Sequence, residues 1–202
     1  MRPPILAGLI MLTAALAPGA RAEDNAMKQE KAVFAGGCFW CVESSLTKVP
    51  GVIKVISGYT GGTTANPNYE EVSEGTSGHV EAIEITYDPA KVSYDVLLDA
   101  FWREIDPTDA GGQFADRGSQ YKTAIFYMNE PQKKAAEASK DRLAKSGRFD
   151  TPIVTPILPA VPFYPAEEHH QNYSKKNPGH YKMYRYGSGR EPFLKRVWGN
   201  ES

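Results

Sequence analysis

At residues 36–43 the chain reads GGCFWCVE, a stretch that contains both of its cysteines, Cys38 and Cys41. An apolar run at 32–35 predicts a short strand before this stretch, and the residues after it predict a helix that ends before Pro50. The two glycines let the backbone turn sharply between strand and helix, so Cys38 is expected in the first turn of the helix. Unpaired N–H groups and the helix dipole favour a negative charge at that position. The stretch therefore predicts a nucleophilic Cys38 whose pKa is lowered.

Cys41 follows three residues later, on the same face of the predicted helix. The expected Cα separation of about 5 Å lies within disulfide range. An ordinary stabilising disulfide is one alternative, although closing so short a loop removes little chain entropy. A zinc half-site is another, although the chain has no second cysteine pair to complete it. Phe39 and Trp40 are either core residues or the wall of an apolar pocket beside a reactive sulfur. The pattern favours sulfur chemistry.

Length and composition indicate a globular domain of ordinary kind. The chain has 202 residues, of which 41% are hydrophobic and 23% are charged, enough to bury a proper core in one domain. The formal net charge of −1 gives no indication of binding to nucleic acid or to an anionic membrane surface.

The first 22 residues have the pattern of a secretory signal peptide. Arg2 supplies a positive start, the apolar run from Ile5 to Leu16 is too short to span a bilayer, and Ala20-Arg21-Ala22 offers a small-x-small cleavage site. Removing residues 1–22 would change the net charge to −3, because two arginines and no acidic residue are lost. We expect one domain over 26–202, exported to a bacterial periplasm, with an uncleaved N-terminal anchor as the alternative. Such a compartment is oxidising, so the thiols would need an external source of electrons.

After the cysteine stretch, strand and helix patterns alternate along the chain. Strands are predicted at 51–58, 80–87, 121–127 and 153–158, helices at 94–105, 129–147 and 165–175, and an irregular tail from about 177. The order β-α-β-β-α-β-α-β contains the split βαβ arrangement of ferredoxin-like folds. We therefore predict an α+β fold, a two-layer α/β sandwich with a mixed, mostly antiparallel sheet.

The predicted strand at 80–87 carries a carboxylate in an unusual place. Its alternation puts Glu81 on the same face as Ile83, Ile85 and Tyr87, with Glu84 on the opposite, polar face. A carboxylate on a core-facing row is costly unless it is partnered or protonated. The pattern alone leaves open whether Glu81 is buried or lies beyond the rim of the core in water.

The four histidines do not form a convincing metal site. His169 and His170 are adjacent and cannot share one helical face, and His79 and His180 lie in glycine-containing turns. We predict no bound metal.

Eight motifs in order along residues 31 to about 181 resemble the A-type peptide methionine sulfoxide reductases, which act on methionine S-sulfoxide. They are GGCFW at 36–40, GYTGG at 58–62, NPNYEEV at 66–72, GHVE at 78–81, YDP at 87–89, DPT at 106–108, DRGSQY at 116–121 and AEEHHQ at 166–171. The resemblance implies a thiol-dependent reductase of oxidised proteins, and of the free amino acid, that is specific for the S epimer.

The resemblance also implies roles for particular residues. Seven positions match: Cys38 the nucleophile, Phe39 and Trp40 the pocket for the ε-methyl group, Glu81 the catalytic acid, Tyr69 and Tyr121 the hydroxyls that bind the sulfoxide oxygen, and Asp116 a polar residue near the cysteine. A core-facing Glu81 that keeps its proton suits the role of acid. Attack by the cysteine would release methionine and leave a cysteine sulfenic acid.

No bound cofactor is expected, only an external reductant, a thioredoxin-like protein or dithiothreitol. The expected partners are oxidised protein substrates and that reductant. We expect no nucleic acid, no stable membrane insertion after cleavage, and a monomer.

The chain departs from many relatives in lacking a recycling cysteine in the C-terminal tail, since no cysteine follows residue 177. Cys41, by contrast, stands where glycine is often found. We therefore predict that Cys41 resolves the sulfenic acid. Two other functions stay open: a thioredoxin-like thiol–disulfide oxidoreductase, and a secreted binding domain with an inert disulfide.

Overall fold

A computed structural model describes residues 29–199, so the predicted signal peptide at 1–22 lies outside the described residues. The strands are β1 (Glu30–Gly36), β2 (Val52–Thr60), β3 (Val80–Tyr87), β4 (Gly112–Gln113), β5 (Asp116–Arg117), β6 (Thr123–Tyr127), β7 (Ile157–Pro159) and β8 (Tyr164–Pro165). The helices are α1 (Phe39–Leu46), α2 (Tyr69–Ser73), α3 (Tyr94–Trp102), α4 (Glu130–Ala144), α5 (Tyr173–Lys176), α6 (Pro178–Gly187) and α7 (Arg190–Trp198). Within this part of the chain, none of the helices has the length and apolar character needed to cross a membrane.

The main sheet has six strands in the order β7-β6-β1-β3-β2-β8. Its neighbours pair antiparallel, except for the parallel pair β6–β7. The four central strands follow the order expected of a split βαβ arrangement, with α1 leading from β1 to β2 and α3 leading from β3 towards β6. The predicted α+β fold with a mostly antiparallel sheet is confirmed.

The core forms where α1 and α3 cover one face of this sheet. In α3 the side chains of Leu97, Leu98, Phe101 and Trp102 are buried, as its amphipathic pattern predicts. Phe101 stacks on Phe34 of β1 with 4.9 Å between ring centroids. This packing fixes the end of β1, and therefore the start of α1, against the rest of the domain.

Two predicted elements before the C-terminal helices have different bounds. The strand expected at 153–158 is confined to Ile157–Pro159, because the prolines at 152 and 156 have no N–H to donate and Val154 N–H instead bonds Pro107 O at 2.8 Å. The helix expected at 165–175 is broken into a 3₁₀ turn at Glu168–His170 and α5. The break lies at Gln171, whose backbone is extended, and at Asn172, which is left-handed with φ 54°. The Gln171 side-chain amide bonds both the N–H and the C=O of Ser57 in β2.

The prediction of an irregular tail from about 177 is wrong, because α6 and α7 occupy most of it. In α7 a four-residue spacing buries Arg190, Leu194 and Trp198 against the domain. No residue of α6 is fully buried. This helix is held by tertiary contacts such as the paired hydrogen bonds from Arg185 to Glu104, at 2.9 and 3.1 Å.

Candidate active site

A small cavity of about 110 Å³ lies at the junction of β1 and α1. Eight side chains line it: Cys38, Phe39, Trp40, Tyr69, Glu81, Asp116, Tyr121 and Tyr184. All seven residues that the motifs assigned to the nucleophile, the acid, the hydroxyls, the polar neighbour and the methyl pocket are thus brought together. Cys41 is fully buried and is not part of the lining.

The turn into α1 requires glycine. Gly37 has φ +75°, and a Cβ there would lie 2.5 Å from Cβ of Gln113. Cys38 is the N-cap residue and the helix begins at Phe39, one residue later than expected. The N–H of Phe39 donates to Oε2 of Glu81 at 2.9 Å. The first N–H of the helix therefore forms its hydrogen bond with the carboxyl group and not with the Cys38 sulfur.

Glu81 is buried on the core-facing side of β3, with 3% of its surface exposed. This settles the question that the strand pattern left open. Burial raises the pKa of Glu81 to about 8, and the hydrogen bond from Phe39 N–H opposes the shift. The group is therefore mostly a neutral acid at neutral pH, able to donate a proton into the cavity.

Both thiols are free and buried, with Cys38 5% exposed. Burial raises the pKa of Cys38 well above its ordinary value, and the neighbouring Cys41 and Glu81 raise it further. The expected lowering is therefore wrong, because loss of hydration outweighs the helix terminus. The pKa of Cys41 is lowered to about 7, first by a hydrogen bond from Cys38 and then by the charges of Arg190 and Arg185. Cys41 is therefore the more acidic of the two neighbouring thiols, and the two titrate as a unit.

The two predicted hydroxyls enter the cavity from different elements. Tyr69 is the first residue of α2, whose N-cap Asn68 forms a capping box with Glu71. Tyr121 ends a 3₁₀ turn at Ser119–Tyr121. Burial raises the pKa of both phenols, and the nearby Glu81 adds to the effect. Both are consequently neutral hydrogen-bond donors over the accessible pH range.

Four residues of the site were not predicted. The first is Tyr184 of α6, whose hydroxyl donates a hydrogen bond to Oδ2 of Asp116 in β5. Burial raises the pKa of Asp116, and this hydrogen bond opposes the shift. No local motif marks Tyr184, because it lies in the part of the chain expected to be irregular.

The other three residues support the cavity walls; they are His170, Tyr173 and Glu167. Trp40 donates from Nε1 to Nδ1 of His170 at 3.2 Å and stacks on Tyr173 with 3.8 Å between ring centroids. Glu167 accepts from the hydroxyl of Tyr59 and from the N–H of Tyr69, both at 2.8 Å. Glu167 and His170 belong to the AEEHHQ motif, which was therefore the signal that could have indicated their roles.

No group of three or more His, Cys, Asp or Glu side chains within residues 29–199 is arranged to hold a metal ion. Two of the histidines have other contacts. The ring of His79 bonds the N–H of Gly62 and the C=O of Thr64, and His170 accepts from Trp40.

Comparison with known proteins places the chain in a family. The family model described as peptide methionine sulfoxide reductase matches residues 30–202. The peptide methionine sulfoxide reductase MsrA of Bacillus subtilis (strain 168) is 60% identical over 172 residues, which is 85% of this chain and 97% of that protein. The protein of the same name from Listeria monocytogenes serotype 4b (strain CLIP80459) is 56% identical over 169 residues, covering 84% of this chain and 96% of that protein.

Two solved structures share the fold of this chain. Methionine sulfoxide reductase A of Corynebacterium diphtheriae is 33% identical, with a TM-score of 0.66, over 79% of this chain and 78% of that chain. The reduced form of Mxr1 from Saccharomyces cerevisiae is 29% identical, with a TM-score of 0.71, over 77% of this chain and 89% of that chain. The chain therefore belongs to the peptide methionine sulfoxide reductase family, and the enzyme class expected from its motifs, a reductase of methionine sulfoxide, is confirmed.

Proposed function

We propose that the chain reduces the S epimer of methionine sulfoxide, in oxidised proteins and as the free amino acid, with Cys38 as nucleophile. The observation that carries this proposal is the arrangement around one cavity of about 110 Å³ of a thiol, a buried acid and two phenols. A sulfoxide has a sulfur that a nucleophile can attack and an oxygen that accepts hydrogen bonds. It therefore fits a cavity that is lined by a thiol and by an acid and two phenols that can donate.

In the first step the Cys38 thiolate attacks the sulfoxide sulfur. Glu81 gives its proton to the sulfoxide oxygen while Tyr69 and Tyr121 donate hydrogen bonds to it, which stabilises the charge that develops there. The hydroxyl ends on Cys38, and the sulfur–oxygen bond of the substrate breaks. Methionine leaves, Cys38 becomes a sulfenic acid, and Glu81 becomes a carboxylate. Phe39 and Trp40 form the apolar wall against which the methyl group would rest.

In the second step Cys41 attacks the sulfenic sulfur of Cys38, water leaves, and a disulfide forms. Three features support Cys41 in this role. It is the one other cysteine of the chain; its pKa is lowered to about 7; and its backbone N–H donates to Cys38 O at 3.1 Å. An external thioredoxin-like dithiol, or dithiothreitol, then reduces the disulfide. No bound cofactor takes part in this cycle, and the protein acts as a monomer.

We also propose that the protein is exported to a bacterial periplasm. The signal pattern of residues 1–22 supports this location. A reductase in an oxidising compartment repairs exported proteins and needs a dithiol donor that operates there.

The decisive experiment is turnover of the two separated sulfoxide epimers with dithiothreitol. Native protein is expected to convert the S epimer alone, and Cys38→Ser is expected to convert neither. Cys41→Ser serves as the matched variant, because without added reductant it should form one methionine per protein molecule and accumulate a sulfenic acid.

Two results would contradict the proposal. One is reduction of insulin disulfides without sulfoxide turnover, which would indicate a thioredoxin-like oxidoreductase. The other is equal methionine formation by native protein and Cys38→Ser.

A further inference from the structure

Tyr184 of α6 lines the same small cavity as the nucleophile Cys38 and the carboxylate of Asp116. Its hydroxyl donates a hydrogen bond to Oδ2 of Asp116. Its ring packs edge-on against Trp40, with 5.9 Å between centroids. The proposed reaction as written above gives this hydroxyl no role.

The hydroxyl is held in place by the C-terminal helices. The next residue, Arg185, pairs with both carboxylate oxygens of Glu104. Arg190 of α7 is 1% exposed and donates to Gly36 O at 3.0 Å, directly before the cysteine turn. The position of Tyr184 is therefore fixed relative to Cys38.

The reaction needs the Cys38 thiolate, but the resting protein holds Cys38 as a thiol. Burial raises the pKa of Cys38, so its proton must pass to an acceptor before the sulfur can attack. If Cys41 took that proton, it would lose the charge that it needs to attack the sulfenic acid later. A separate proton acceptor avoids this conflict. Asp116 is a half-buried carboxylate that accepts a hydrogen bond from Tyr184 in the cavity that Cys38 also lines.

We propose that Tyr184 is a further catalytic residue, which passes the thiol proton of Cys38 to Asp116. The S–H bond of Cys38 breaks as its proton reaches the Tyr184 oxygen, and the original O–H proton of Tyr184 moves to Oδ2 of Asp116. Cys38 is left as a thiolate and Asp116 as a neutral acid, while Tyr184 ends as a neutral phenol that donates to the thiolate. When Cys41 attacks the sulfenic acid, the stored proton returns to the hydroxide that leaves as water. This role rests on the proposed function.

Several other titratable or charged groups lie around Cys38, and a test must separate their effects from that of Tyr184. They are Cys41 of α1, Glu81 of β3, Tyr69 of α2, Tyr121 of the 3₁₀ turn, Asp116 of β5 and, through Gly36, Arg190 of α7. The test therefore uses a Cys41→Ser background, which leaves one thiol to titrate and stops the reaction after one methionine.

In that background Tyr184→Phe removes the hydroxyl and keeps the ring against Trp40. We expect alkylation of Cys38 by iodoacetamide to shift to higher pH. The single-turnover rate constant for methionine formation should fall on the order of tenfold to a hundredfold, while the sulfoxide concentration at half-maximal rate stays the same. Tyr186→Phe is the matched control, because Tyr186 lies on the same helix and is 68% exposed; it should change neither readout. Thermal unfolding of both variants checks that the fold is kept.

Asp116→Asn distinguishes a relay from a local contact. Because the two residues act in series, the Tyr184→Phe, Asp116→Asn double variant should be no slower than the slower single variant. The relay is overturned if Tyr184→Phe leaves the alkylation profile and the rate unchanged, or if it alters only the half-saturating sulfoxide concentration. Alkylation needs no sulfoxide, so a shifted profile in a protein that forms no methionine would support the relay and contradict the proposed function.

Discussion

Glu81→Gln should make the protein less active but more stable at alkaline pH. The Glu81 side chain is 3% exposed and accepts the Phe39 N–H at 2.9 Å. Glutamine has the same shape and its amide oxygen can accept the same hydrogen bond, but it has no proton to release. The substitution therefore removes a titratable group while it preserves the contact.

The expected gain in stability at alkaline pH follows from the raised pKa of Glu81. Burial raises the pKa of Glu81 to about 8 from 4.5. The folded protein keeps the proton over a range where the unfolded chain releases it, so the stabilising contribution is complete below the lower value and is lost as pH rises to the higher one. At about 1.36 kcal/mol per pH unit, the loss between pH 5 and pH 8 comes to about 3 to 4 kcal/mol. Glu81→Gln should not show this loss of stability.

Urea unfolding of thiol-reduced protein at about pH 5 and pH 8 measures this difference. Glu84→Gln is the matched control, because Glu84 lies on the opposite face of β3 and pairs with Lys31 at 2.8 Å. The reasoning is refuted if the free energy of unfolding of native protein and of Glu81→Gln changes equally between the two pH values. Single-turnover methionine formation by Glu81→Gln should fall by roughly a hundredfold to ten-thousandfold, as expected for a lost general acid.

Two further predictions concern the hydroxyls and the cysteine turn. Tyr69→Phe and Tyr121→Phe should each lower kcat by about a hundredfold, because each removes a donor to the developing oxyanion; steady-state kinetics with the S epimer measure this, and an unchanged kcat in both variants would contradict the assignment. Gly37→Ala should destabilise the fold by about 1 to 3 kcal/mol in urea unfolding, because φ is +75° and the new Cβ would lie 2.5 Å from Gln113. Gly179→Ala is its control, since a Cβ there meets nothing within 4 Å; equal losses in both variants would refute the steric argument.

The main elements of the fold and the cysteine pair followed from local patterns, whereas the roles of the other site residues followed from the resemblance to the reductase family. The period-two alternation at 80–87 put Glu81 on the core-facing row, and β3 has those bounds. The spacing of apolar residues after Tyr94 predicted the buried face of α3. Such patterns are readable because the side chains involved contact the sheet through the regular geometry of one strand or one helix.

Long-range contacts could not be read in this way. Tyr184 and Asp116 are 68 residues apart, and Trp40 and His170 are 130 residues apart, so no local periodicity joins them. The helix α6 has no fully buried residue to reveal it. Its position depends on tertiary contacts, such as those between Arg185 and Glu104.

The sequence by itself determined the chemical groups of this protein: a cysteine pair at a strand–helix turn, an acid on a core-facing row, and phenols in separate motifs. Only the tertiary structure decided their charge states. Helix position alone predicted an acidic Cys38, but desolvation by the surrounding elements raises its pKa, and the hydrogen bond from Cys38, with Arg190 and Arg185, lowers that of Cys41. Desolvation depends on every element that closes over a group, and that is a property of the folded chain.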